Sequence, residues 1–144
     1  MALEGNLMAS VATWLITACG FALVLIGGFF LAARPPLLPE DARFMGSTIE
    51  DIVHAVPALT PWLRRVFWVL GGYIATTGAL VMYVASTGVR AGNAGALAVL
   101  ALAGITSLGW MSAVNFMIHS DFKWALLALD GIWIIGLLMA AGAR

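Results

Sequence analysis

Apolar side chains fill this chain in long runs rather than in the rhythm of a half-buried element. Charge is absent from residues 5–33, 66–89 and 91–120, and from 124–143 except at Asp130. Each run is long enough for the roughly 20 helical residues that cross a bilayer core. None alternates with the period of two that marks a barrel strand. Only helices and closed barrels satisfy their backbone in lipid, so the pattern predicts four transmembrane helices, at 7–33, 61–87, 94–119 and 122–142.

Local signals mark their ends. Asn6 can cap the first helix, Thr60 the second with Pro61 at the first helical position, Asn93 the third and Asp121 the fourth, while Gly88 can close the second. The last two helices are separated only by a turn at Ser120–Asp121, which predicts an αα-hairpin of adjacent, antiparallel helices. All five prolines lie between residues 35 and 61 and locate the one substantial loop. Within it, Ser47-Thr48-Ile49-Glu50 fits a capping box. Ile49, Ile52, Val53 and Val56 then recur at i, i+3, i+4 and i+7 before Pro57, which predicts an amphipathic helix over 48–56 lying at headgroup level or capping the bundle. The expected fold is therefore all-α and integral to the membrane. It is a single domain over 1–144, a four-transmembrane-helix antiparallel bundle with a short amphipathic helix in the first loop.

Composition agrees. Apolar residues make up 62% of the chain and charged residues 10%, against about 25% charged in an ordinary soluble domain. Seven basic residues cancel seven acidic ones, and the largest basic cluster is Arg64–Arg65, which argues against nucleic acid as a partner. One cysteine, Cys19, leaves no internal disulfide or cysteine-rich metal site and reads as a small lipid-facing or packing residue. Ile16-Thr17-Ala18-Cys19-Gly20 superficially fits a lipoprotein cleavage site. The lack of a basic n-region and the apolar run continuing to Ala33 instead keep the first helix in the mature chain. Arg34, Arg43, Arg64, Arg65 and Lys123 fall on one predicted side, with Trp62 and Trp124, whereas only Arg90 and Arg144 fall on the other. The positive-inside rule then places both termini outside, in the periplasm of a bacterial cell.

Asp130 stands about eight residues into the fourth helix, roughly 12 Å below its start. Ionised there, it costs about 2.5–3.5 kcal/mol on the insertion scale, so it should face the bundle, pair or hold a proton. Across the hairpin, Ser112, Asn115 and His119 recur at i, i+3 and i+7 as one polar stripe at comparable depth. With Asp130 this makes a candidate ligand or proton path. The simpler account is that Ser112 and Asn115 hydrogen-bond Asp130 and hold two helices together. His54 and His119 share a predicted side and are weak candidates for a metal site with Glu50, Asp51 or Asp121, because no His-x-x-His or His-x-x-x-His pair exists. No nucleophile elbow or phosphate-binding loop is present. Gly71-Gly72 with Ala75 and Ala79, and likewise Gly27–Gly28, Gly104, Gly109, Gly131 and Gly136, read as smooth surfaces for close helix packing.

The stretch Pro39-Glu40-Asp41-Ala42-Arg43-Phe44-Met45-Gly46-Ser47-Thr48-Ile49-Glu50-Asp51, followed by Pro57, Leu59, Gly71-Gly72 and Gly78, resembles small uncharacterised bacterial membrane proteins of the DoxX-like group. The resemblance covers about residues 35–85. It implies a four-span protein of the bacterial inner membrane and supplies no reaction. Where the group carries a histidine–aspartate–arginine element ahead of the double glycine, this chain has Arg64-Arg65-Val66-Phe67-Trp68, so no functional residue transfers. Three functions follow from the sequence. The leading one is a non-enzymatic accessory or assembly protein that docks on its own copies or on a larger membrane complex. The second is a small-molecule or proton-coupled transporter component using Asp130, Asn115, Ser112 and His119. The third is a redox or lipid-modifying membrane enzyme with a quinone, haem or metal near His54 and His119.

Overall fold

The computed structural model describes residues 2–144, all helix, turn and loop without a strand among the described residues. Four helical stretches are long and apolar enough to cross a membrane: Leu3–Ala32, Leu59–Val89, Ala94–Met117 and Lys123–Gly142. In chain order the elements are α1 (Ala2–Ala32), α2 (Pro39–Phe44), α3 (Ile49–Ala55), α4 (Leu59–Val84), α5 (Ala94–Gly104), α6 (Trp110–Met117) and α7 (Lys123–Gly142). A π-helical turn, Ala85–Val89, extends α4, and a second, Ile105–Gly109, joins α5 to α6.

Several ends differ from the sequence expectation for local reasons. Asn6 lies inside α1, because Ala2, Leu3 and Glu4 are good helix formers that carry the helix upstream of it. Helix α4 starts at Leu59, so Thr60 and Pro61 occupy its first turn, where a missing N–H is tolerated. The Thr60 hydroxyl is buried without a partner. Gly88 does not end α4. It sits in the π-helical turn against Ala96, and the chain reverses at Gly92, whose φ of 66° glycine adopts without strain. Asp121 is not the cap of α7, which starts after Phe122. Its carboxylate instead accepts from Arg43 at 3.0 Å. Asn93 does cap α5, accepting from Gly95 N at 2.8 Å and Ala96 N at 3.3 Å.

The first connection holds two short helices rather than one. Helix α3 matches the expected segment, with its cap one residue later than read: Thr48 Oγ1 accepts from Asp51 N at 3.1 Å and donates to the Asp51 carboxylate at 2.6 Å. Its apolar face is not buried in this chain, since Ile49, Val53 and Val56 are exposed. Helix α2 has no counterpart in the sequence reading. Pro39 starts it with a preset φ, Glu40 and Asp41 lie at its positive end, and Asp41 Oδ2 accepts from Leu38 N at 2.9 Å.

Helix α1 packs along both α4 and α7. Its approach to α4 is set by facing glycines. A Cβ on Gly27 would lie 2.5 Å from Ala75 N and 2.6 Å from Gly71 O, and one on Gly78 would collide with Gly20 O. Backbones can approach this closely only where no side chain intervenes. Elsewhere Gly104 leaves room for the indole of Trp133, and Gly136 for Ile16. The buried core gathers Ile16, Cys19 and Leu23 of α1 with Val81, Leu100, Leu108 and Trp133.

Candidate functional site

Beyond that core a chamber opens beside the contact of α1 with α4. The C-terminal third of α1, the N-terminal part of α4, helix α6 and the first two turns of α7 surround a cavity of about 820 Å³. Such a volume lies within the range of about 300–1,000 Å³ typical of small-molecule sites. Its walls are mostly leucine, isoleucine and aromatic side chains, among them Phe29, Leu70, Trp110 and Leu129. Leu25, Phe29, Trp110, Val114 and Phe122 are each more than a third exposed, so the chamber is open rather than sealed. Leu25 and Arg34 both line it, nine positions apart on a segment helical as far as Ala32, about 14 Å of depth at the helical rise.

One end of this apolar chamber is charged. Arg34 follows Phe30 by four residues, the spacing that stacks neighbours on one helix face. Its guanidinium lies 5.1 Å from the Phe30 ring centroid and 3.5 Å from that of Phe67 on α4. Nη1 donates to Pro35 O at 2.9 Å, and Nη2 stands 3.5 Å from Asp41 Oδ2, with the arginine side chain only 9% exposed. Burial lowers the Arg34 pKa from its ordinary value, while Asp41 and then Glu40 raise it, and a guanidinium stays charged throughout.

Glu40 is the second buried charge-bearing group. Helix α2 turns it inward until it is 3% exposed. There its Oε1 accepts from the Ser120 hydroxyl at 3.2 Å, and Ser120 Oγ in turn accepts from Phe122 N at 3.2 Å. The first connection is thereby tied to the turn before α7. A carboxylate has about four acceptor positions, and no donor among the described residues reaches Oε2. The ionisable groups in the wall are thus Arg34, Glu40 and Asp41, one cation against two carboxyl groups. Arg43 and Asp121 form a second link between the same two connections, on the exposed surface.

The residues singled out from the sequence are placed differently from one another. Asp130 is half-buried, beside the point where the Cys19 thiol meets Leu129 O at 3.8 Å across α1 and α7. Among the described residues no hydrogen bond or ion pair joins its carboxylate to Ser112, Asn115 or His119. Ser112 is buried with its hydroxyl unpartnered. Asn115 lines the cavity, but its amide donates to Met111 O of its own helix at 2.8 Å. His119 is exposed in the turn after α6 at a φ of 54°, with Nδ1 3.0 Å from Phe116 O. His54 is exposed on α3. Among the described residues no three His, Cys, Asp or Glu side chains cluster to hold a metal.

Several other hydroxyls inside the long helices bond backward to carbonyls four residues earlier, as Thr13 does to Ala9 O, Thr77 to Tyr73 O and Thr106 to Leu102 O, while that of Thr17 is buried without a partner. The backward bonds satisfy those hydroxyls within their own helices rather than between helices. The sequence reading missed the cavity, Arg34 and Glu40. The legible signals were the Phe30/Arg34 spacing and a proline followed by two acids at 39–41. Comparisons of this chain with protein-family models, with curated proteins and with solved structures find no match.

Proposed function

We propose that this chain is a non-enzymatic, multi-pass membrane protein that holds an amphipathic molecule drawn from one leaflet of the bilayer. The observation that carries this reading is the cavity itself: apolar along its length, open at the side, and charged at one end only. Its depth of about 14 Å compares with about 15 Å for half a hydrocarbon core. An antiparallel four-helix bundle crossing the membrane puts Arg34 and Glu40 at the headgroup level and Leu25 near the midplane. The basic residues on that side make it the cytoplasmic leaflet of a bacterial inner membrane. Helix α3, with its apolar face uncovered, lies in the same interface. Holding or presenting such a molecule to a larger complex is an accessory role. It also explains why the charged groups line a binding chamber rather than meeting in a nucleophile–base pair.

The test is the lipid content of the protein purified in a mild detergent and extracted with organic solvent. About one molecule per chain is expected to survive detergent exchange. Ala125→Trp, which projects an indole from α7 into the chamber, should lower retention several-fold while the helical circular dichroism is kept. Retention unaffected by Ala125→Trp removes the proposal.

A further inference from the structure

The polar end of the cavity specifies the headgroup, an inference that rests on the lipid-binding reading. We infer that the cavity selects a zwitterionic lipid whose headgroup ends in a primary ammonium, with Glu40 as the acceptor of its N–H donors. Glu40 is 3% exposed and the Arg34 side chain 9% exposed at one end of an otherwise apolar chamber. Arg34 is already engaged by Asp41, by Pro35 O and by two aromatic rings. Glu40 has a single hydrogen-bond donor, the neutral hydroxyl of Ser120, on one of its two oxygens, and feels Arg34 only through its charge. A buried carboxylate with a single neutral donor is the costly element of the wall, and a cationic donor on its free oxygen offsets that cost.

The same geometry disfavours two alternatives. An anionic headgroup would enter a rim with two carboxyl groups and one guanidinium, so its net charge meets repulsion. A choline headgroup has no N–H to give, and quaternary ammonium is recognised chiefly by aromatic faces. Two of the rings at the charged end, Phe30 and Phe67, are covered by Arg34. A phosphoethanolamine headgroup supplies N–H donors for Glu40, and its phosphate is neutralised by its own ammonium, so no net charge enters the rim.

The experiment is native mass spectrometry of the full chain titrated with phosphatidylethanolamine, phosphatidylcholine and phosphatidylglycerol of identical acyl chains. The ethanolamine lipid should bind about tenfold more tightly than the choline lipid, the size of one charge-assisted hydrogen bond. In Glu40→Gln, which keeps an acceptor for Ser120, the preference should shrink to about twofold or less with lipid still bound. Equal binding of the ethanolamine and choline lipids by the unaltered protein overturns the inference, and that comparison needs no variant to fold. Preference for phosphatidylglycerol, or an unchanged preference in Glu40→Gln, overturns it as well. Those results leave the cavity reading standing, whereas failure to retain any of the three lipids takes down both.

Discussion

The two ends of this bundle are built by opposite rules. Toward the chain termini, glycines and buried side chains bring α1, α4, α5 and α7 into direct contact, with Ile16, Leu100, Leu108 and Trp133 excluded from solvent. Toward the first connection, α1 and α4 stay close through Gly27 and Gly71, but their large side chains, with those of α6 and α7, line a chamber instead of filling one another's gaps. The difference is one of packing, since apolar residues dominate both ends. A helix that is apolar all round can face protein, lipid or a ligand equally well, and small residues decide where it is held close. Burial on all sides is thus reached at one end, and access at the other.

The comparison breaks most sharply at the crossing of α1 and α4. Gly78→Leu puts a side chain against Gly20 O and within 2.8 Å of Val24 N, atoms of a backbone that has nowhere to move while the crossing holds. A loss of about 3 kcal/mol or more is expected, at the upper end of overpacking penalties. Thermal unfolding in detergent should show a collapsed melting temperature or no folded fraction. A melting temperature within a few degrees of the unaltered protein means that the glycine contact does not hold the bundle.

Next in size is a paired measurement across the two ends. Trp133→Ala empties a site where the indole is 2% exposed and is expected to cost about 3 kcal/mol or more. Leu25→Ala, at a wall position 59% exposed, is expected to cost about 0.5 kcal/mol or less. Equal costs would mean that the chamber is as tightly packed as the core. The asymmetry would then vanish.

Asp130 lies where the two ends meet, between the cavity wall at Leu129 and the core at Trp133. Its carboxylate has no partner among the described residues, so its replacement removes a desolvation cost without breaking a bond. Asp130→Leu is expected to raise stability by about 1–2 kcal/mol and to leave lipid retention unchanged. A fall in retention, or in pH-dependent flux through proteoliposomes, would instead make Asp130 part of a ligand or proton path.

Much of this architecture was legible without coordinates. Three uncharged runs and a fourth broken only by Asp130 gave four helices, the prolines located the connection, and Asn93 announced the start of α5 through the ordinary preference of asparagine for that position. The cavity was not legible, for a physical reason. Periodicity reports which face of a helix is apolar, and α1 and α5 are apolar on every face, so their sequences carry no record of which side meets a neighbour. Asp130 drew attention as the one charge inside a long apolar run, whereas Glu40 sits among prolines and acids in a segment that reads as solvated. Its burial depends on α2 folding back on the turn at Ser120, a contact between residues 80 positions apart.

The smallest expected effect separates α3 from both ends. No residue of α3 is buried, and its first turn is held by Thr48, whose hydroxyl accepts from Asp51 N and donates to the Asp51 carboxylate. Removing that cap typically costs about 1 kcal/mol. Because α3 shares little with the bundle, the loss should remain local. In Thr48→Ala, hydrogen exchange at residues 49–55 is expected to accelerate about fivefold, as a 1 kcal/mol loss implies, while the global melting temperature stays fixed. A matching fall in melting temperature would show that α3 is coupled to the core after all. Faster exchange with an unchanged core would place α3 with the open end of the molecule, as an element whose apolar face is covered by the bilayer interface rather than by the chain.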